Sequence, residues 1–275
     1  MATTSMHLGG VPEHFNLPWH LAMESPELDS GLAGMKLEWE DQPGGTGEML
    51  AKLVDGELDI VSILTEGTVK AIADGMPITI IQVYVESPLQ WGVFVPGQSD
   101  FVELAELEGA RIAVSRFGSG SHLMSYILSE RMGWTISEDQ FVVIGDLDGA
   151  IKAFAGDEAD MFLWDQYMTR PLVRDGRFRQ VAVQRTPWPS FVIAARDEVL
   201  TGRTTEVGRV VDAVMAKAGE LLTRPDGPDL VSQRYGIALD TAQEWFASTL
   251  FAGREAMRLD IASEVLDTLK RAGLR

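Results

Sequence analysis

Two spacings of apolar residues alternate along the chain. Short apolar or strictly alternating runs, the pattern of buried and half-buried strands, fall at 6–10, 36–40, 59–64, 78–85, 91–95, 112–114, 141–144, 160–164, 178–183 and 191–195. Helical spacing separates most of them, over 16–24, 48–54, 68–73, 102–107, 123–131, 147–155 and 165–173. Beyond residue 206 only helical spacing remains, over 207–222, 229–235, 241–251 and 261–269, and no strand is predicted there. Asn16 reads as the cap of the first helix, with Pro18 near its first turn, where proline is tolerated. Strands alternating with helices predict an α/β fold with mainly parallel sheets.

Three predicted strand ends run into helices through clusters of glycine and hydroxyl residues. Gln42-Pro43-Gly44-Gly45-Thr46-Gly47 follows the second strand and Thr65-Glu66-Gly67 the third. The fullest cluster, Ser115-Arg116-Phe117-Gly118-Ser119-Gly120-Ser121, follows the sixth. Strand, Gly/Ser turn and helix together aim free backbone N–H groups at a small ligand, often an anion. The same residues are good helix caps, so both roles stand open. This is not a phosphate loop: no Gly-Lys-Ser/Thr follows, and position 123 is Leu where a dinucleotide fingerprint needs glycine. In an open parallel sheet such strand ends share one edge, where ligands bind.

The pattern divides into two blocks, the second opening near Trp91 and closing near Pro189. We therefore expect a first lobe over 1–87, a second over 88–187, and a return strand with C-terminal helices of the first lobe over 188–275. The ligand is expected in the cleft between the lobes.

Composition narrows the function. The net charge of −18 argues against nucleic-acid or anionic-membrane partners. No apolar run reaches the roughly 18 residues of a membrane span. The absence of cysteine excludes disulfides, thiolate metal sites and cysteine nucleophiles. His14 and His20 are not at metal-ligand spacing, so no metal or other cofactor is expected. No coherent catalytic set stands out. Residues 1–6 lack the features of a secretion leader, so the chain as it stands is expected to be cytoplasmic, or periplasmic if a leader was removed.

Three phrases occur in a telling order: Leu50-Ala51-Lys52-Leu53-Val54-Asp55-Gly56-Glu57-Leu58-Asp59-Ile60, Leu107-Glu108-Gly109-Ala110-Arg111-Ile112-Ala113-Val114, and Ala155-Gly156-Asp157-Glu158-Ala159-Asp160-Met161. With them the chain, from about residue 6 to 195, resembles the type II periplasmic-binding-protein fold. The branch it resembles holds the nitrate-, sulfonate- and taurine-binding proteins of ABC importers. Thiamine-pyrimidine binding proteins and the yeast pyrimidine-precursor synthases are similar to that branch. The chain departs from the exported members in showing no leader, and from the synthases in lacking cysteine. The resemblance implies a two-lobed α/β protein with its C-terminal helices on the first lobe. It also implies hinge closure over a small molecule and an ABC permease as partner.

Family geometry implies that the strand-end loops face the cleft. The ligand-binding candidates are Glu13, His14, Asn16 and Trp19; Gly45 and Thr46; Thr65 and Glu66; Ser87 and Trp91; Arg116, Ser119, Gly120, Ser121 and His122; Trp164 and Asp165; and Trp188. The four tryptophans favour a flat or apolar ligand body. Hydroxyls and Arg116 suit ligand oxygens, and Glu13, Glu66 and Asp165 suit amine or ring N–H donors. The expected ligand is small, with an aromatic or anionic group. Two main readings follow. One is a non-catalytic solute-binding protein. The alternative is a cytosolic enzyme on the same fold, of thiamine-pyrimidine or menaquinone-pathway type, using Glu13, His14, Glu66 or His122 as general acid or base. A ligand-sensing regulator is a third.

Overall fold

β1 (Ser5–Gly10) lies between β2 (Lys36–Asp41) and β3 (Ile60–Leu64) and runs parallel to both. The computed structural model describes residues 5–26, 28, 32, 34–253 and 259–274. The sequence predicts a turn at Gly31-Leu32-Ala33-Gly34 ahead of β2; two of its residues, and the link at 254–258, lie outside the described residues. β10 (Phe191–Arg196) pairs antiparallel with β3 and with β4 (Ile78–Val85), completing the order β2-β1-β3-β10-β4. α1 (Leu17–Met23), α2 (Gly45–Asp55) and α3 (Thr65–Ala73) follow β1, β2 and β3 in the chain.

The second sheet repeats this plan with other residues. β5 (Gln90–Pro96), β6 (Ile112–Val114), β7 (Phe141–Val143), β8 (Met161–Asp165) and β9 (Phe178–Arg185) stand in the order β7-β6-β8-β5-β9, with β5 antiparallel to its neighbours. α4 (Gly120–Met132), α5 (Leu147–Ala155) and α6 (Arg170–Arg174) connect them. The C-terminal part is helical: α7 (Asp197–Thr223), α8 (Gly227–Tyr235), α9 (Leu239–Ser248) and α10 (Leu259–Arg271). α7 bends at Arg203 and packs on α1, β4 and β10.

The chain separates into two compact units, Met1–Ser87 with Trp188–Leu266 and Pro88–Pro187 with Asp267–Arg275. Each has its own apolar core. Met49, Leu53, Val61, Ile63 and Val192 meet in the first, and Phe94, Phe154, Phe162, Leu172 and Phe178 in the second. Burying each such side chain contributes about 1.5–3 kcal/mol.

The quoted phrases are scaffolding. Gly56 ends α2 in the left-handed conformation at φ +77°, where a Cβ is disfavoured. Asp59 then accepts from the His7 backbone N–H at 2.9 Å and pairs with Arg196 at 2.7 Å. In the second unit Asp160 accepts from both the backbone N–H and the guanidinium of Arg111, each at 2.7 Å. The two aspartates staple strand starts, away from the strand ends.

Several element boundaries differ from the expectation. α3 begins at Thr65, so Thr65-Glu66-Gly67 is its first turn. β8 runs through Asp165, whose Oδ1 accepts from the backbone N–H groups of Tyr167 and Met168, both at 2.8 Å, and this turn delays the helix to Arg170. α9 stops at Ser248, and Phe251 instead bridges to Val85. Asn16 makes no side-chain cap; its amide donates to Val11 O at 2.7 Å.

Candidate functional site

In the first unit the C-terminal ends of β2, β1 and β3 lie side by side. Gly10 closes β1, and a Cβ there would sit 2.6 Å from Asn16 Nδ2 and 2.7 Å from Trp39. The glycine is what lets the buried Asn16 amide approach the strand. Gln42 follows β2 and is fully buried, its Nε2 donating to Glu40 O at 3.2 Å. Beside it Gly45, at φ +68°, and Thr46 open α2. After β3, Thr65 donates to Pro189 O at 2.6 Å, and Glu66 accepts from the Trp188 indole N–H at 2.9 Å. Glu66 is 4% exposed and its pKa is raised by burial. Its Oε1, with Asn16 Oδ1 and Gln42 Oε1, has no hydrogen-bond partner among the described residues.

The other candidates of this unit are spread differently. Glu13 is half-buried in the loop after β1. His14 stacks on Phe15 at 4.8 Å and meets Trp245 edge-on at 4.7 Å, and burial lowers its pKa to about 3. Its ring is a neutral member of an aromatic core. Trp19 is fully buried in α1 against Trp39, at 5.6 Å. Ser87 accepts from Leu250 N through its hydroxyl at 3.1 Å.

In the second unit the turn between β6 and α4 is a closed serine network. Ser121 Oγ accepts from Ser115 N at 3.0 Å and lies 3.0 Å from Ser119 Oγ. Ser119 caps α4 by accepting from His122 N at 3.4 Å, and Gly120 opens the helix. Gly118 N–H donates to His122 Nδ1 at 3.0 Å, which puts the ring proton on Nε2. His122 Nε2 is buried without a partner among the described residues, and Phe117, Tyr126 and Phe141 surround the ring. Burial lowers the His122 pKa and keeps the ring neutral. Arg116 is exposed and makes no ion pair among the described residues.

At the end of β8, Asp165 Oδ2 is likewise buried and without a partner among the described residues, and burial raises the pKa to about 6. Trp164 stacks on Phe162 at 5.3 Å and lies edge-on to Trp91 at 6.5 Å. Sequence reading missed Gln42, as well as a chain in which Gln166 donates to Gln90 Oε1 at 2.8 Å and Gln90 donates to the Tyr167 hydroxyl at 3.1 Å. Glutamines in turns look solvated in a sequence; only burial gives them weight. Among the described residues no group of three or more His, Asp or Glu could hold a metal ion. No described helix is long and apolar enough to cross a membrane.

The fold has counterparts among known structures. Residues 91–183 match the Ca3427-like PBP family model. The structure is similar to that of the Candida albicans CA3427 gene product, whose report describes a new family with the generic periplasmic binding protein fold. The TM-score is 0.90 at 27% identity, covering 98% of this chain and 90% of that one. It is also similar to the alkanesulfonate-binding protein SsuA from Xanthomonas axonopodis pv. citri bound to MOPS, with TM-score 0.80, 17% identity, and 98% and 94% of the two chains covered. The periplasmic nitrate-binding protein NrtA from Synechocystis PCC 6803 gives TM-score 0.77 at 13% identity over 100% and 83%. No curated protein sequence is similar to this one.

Proposed function

We propose that this chain, which has the type II periplasmic-binding-protein fold, is a small-molecule solute-binding protein that serves an ABC permease and closes over its ligand by a hinge motion. The ligand class is that of sulfonates, nitrate or pyrimidines, with an aromatic or anionic group.

One observation carries the reading. Among the buried polar atoms with open hydrogen-bonding capacity, some of which, such as Ser62 Oγ and Trp245 Nε1, lie elsewhere, several stand at the strand ends of each unit: Asn16, Gln42 and Glu66 in the first, His122 and Asp165 in the second. A polar atom buried without a partner costs about 1–3 kcal/mol, so such groups concentrate where something else supplies the partner. The N-terminus of α4, with Gly120 and Ser121 in its first turn, adds N–H groups suited to an oxyanion. Arg116 adds a cation for the same kind of group. Hinge motion is supported by chain geometry: the chain passes between the two units at Ser87-Pro88, at Pro187-Trp188 and, within α10, at Leu266-Asp267. Within the first unit Ser190 Oγ donates to Ser87 O at 2.8 Å, and within the second Leu89 N donates to Thr186 Oγ1 at 3.0 Å. The first two joints are short and anchored on either side, as hinges are.

Native mass spectrometry of freshly purified protein tests the proposal. A retained small molecule of sulfonate or pyrimidine mass supports it. Turnover of a bound candidate without release of the intact molecule would favour an enzyme on this fold.

A further inference from the structure

The ends of β2, β1 and β3 also bear on the chemistry of one end of the ligand, given the solute-binding reading above. Asn16, Gln42 and Glu66 are 1%, 0% and 4% exposed. Each has one polar atom committed to the protein: Asn16 Nδ2 to Val11 O, Gln42 Nε2 to Glu40 O, and Glu66 Oε2 to the Trp188 indole N–H. Those bonds orient the amides, because only the NH2 group can donate to a carbonyl. The atoms left without a partner among the described residues are therefore three oxygens, all acceptors, at three adjacent strand ends. No Lys or Arg among the described residues pairs with Glu66.

We propose that this edge receives a nitrogenous donor group of the ligand, an ammonium, amidinium or ring amine, and that Glu66 selects ligands bearing one over simple anions. A hydroxyl would serve the amide oxygens alone; a cationic nitrogen serves them and also favours the carboxylate form of Glu66, which burial by itself disfavours. A sulfonate or nitrate oxygen would bring a further acceptor to these three oxygens; the buried donors without a partner among the described residues of this region are the Ser62 hydroxyl, on β3 in register with Gly10, and the Trp19 indole N–H on α1. The chain's net charge of −18 also draws cations toward it. Glu66 is well placed for selection. Its helix turn is tied to the Trp188–Ser190 segment by the Thr65 hydroxyl, the Thr65 N–H and the indole, at 2.6, 3.1 and 2.9 Å.

The test is calorimetric titration with two matched pairs that differ by one amine, taurine against ethanesulfonate and 4-aminopyrimidine against pyrimidine, on the wild type and on Glu66→Gln. The substitution keeps an oxygen for the Trp188 N–H. The expected result is that the amine-bearing member of at least one pair binds about tenfold more tightly or better, and that Glu66→Gln abolishes the preference. Equal binding within both pairs, or a preference that survives in Glu66→Gln, overturns the inference while leaving solute binding intact. If Glu66→Gln fails to fold, the wild-type pairs alone decide. Binding of none of the four, nor of any sulfonate, pyrimidine, amino acid or inorganic anion, overturns both.

Discussion

Trp188 donates its indole N–H to Glu66 Oε2 at 2.9 Å, across 122 positions of sequence. The bond joins the first turn of α3 to the segment that re-enters the first unit. Trp188→Phe removes a hydrogen bond to a buried carboxyl group and leaves it with one partner fewer. We expect a loss of about 2–3 kcal/mol in urea unfolding. In a double-mutant cycle with Glu66→Leu, which removes the acceptor, the two substitutions will be non-additive. Additive effects would show that the bond contributes nothing.

Asp165 sets a pH dependence. Burial raises its folded pKa from 3.8 to about 6. The folded state therefore holds the proton more tightly than the unfolded chain. Its contribution is fully present below about pH 4 and is lost as pH rises through 6, amounting to roughly 3 kcal/mol. Asp165→Asn keeps an oxygen for the Tyr167 and Met168 N–H groups. It should raise stability at pH 7 and flatten this part of the profile, as melting curves from pH 4 to 7 will show.

His14 acts in the opposite direction over an overlapping range. Burial lowers its pKa from 6.5 to about 3, so the unfolded chain takes the proton first. Stability is lost as pH falls below 6.5, by up to about 1.4 kcal/mol per pH unit. His14→Phe retains an aromatic ring beside Phe15 and Trp245 and removes the titration. Its melting temperature should fall less than that of the wild type between pH 6 and 4.

A Cβ added at Gly67 would lie 2.4 Å from the Thr46 methyl. Gly67→Ala must push α2 and α3 apart at the strand-end face, and we expect a cost of about 1–3 kcal/mol. Thr46→Ser removes that methyl, so adding it should restore most of the loss. Equal unfolding midpoints for Gly67→Ala with and without Thr46→Ser would contradict this account.

Much of the fold could be read from apolar spacing, because most sheet strands are short apolar runs set off by turn residues. The Ile60–Leu64 and Ile112–Val114 runs are buried on both faces, as parallel strands are. The aspartates of the quoted phrases were visible too, since Asp59 and Asp160 do local work at strand starts. The site was harder to read. A tryptophan near a proline looks the same in sequence whether it faces a ligand or, like Trp19, fills a core. The openness of Gln42 Oε1 depends on what its own Nε2 does, and the tautomer of His122 on the Gly118 N–H four residues away in the chain. Such facts belong to tertiary geometry and leave no periodic trace.

The central claim is that this chain captures a small molecule, and a thermal-shift screen tests it most directly. The panel is sulfonates, pyrimidines, amino acids and inorganic anions, each at high concentration. At a hundredfold excess over its dissociation constant a ligand adds about 2.7 kcal/mol, which raises the melting temperature by roughly 5–10 °C for a chain of this size. We expect at least one compound to do so, with saturable calorimetric binding. A panel in which none moves the melting temperature would contradict the claim.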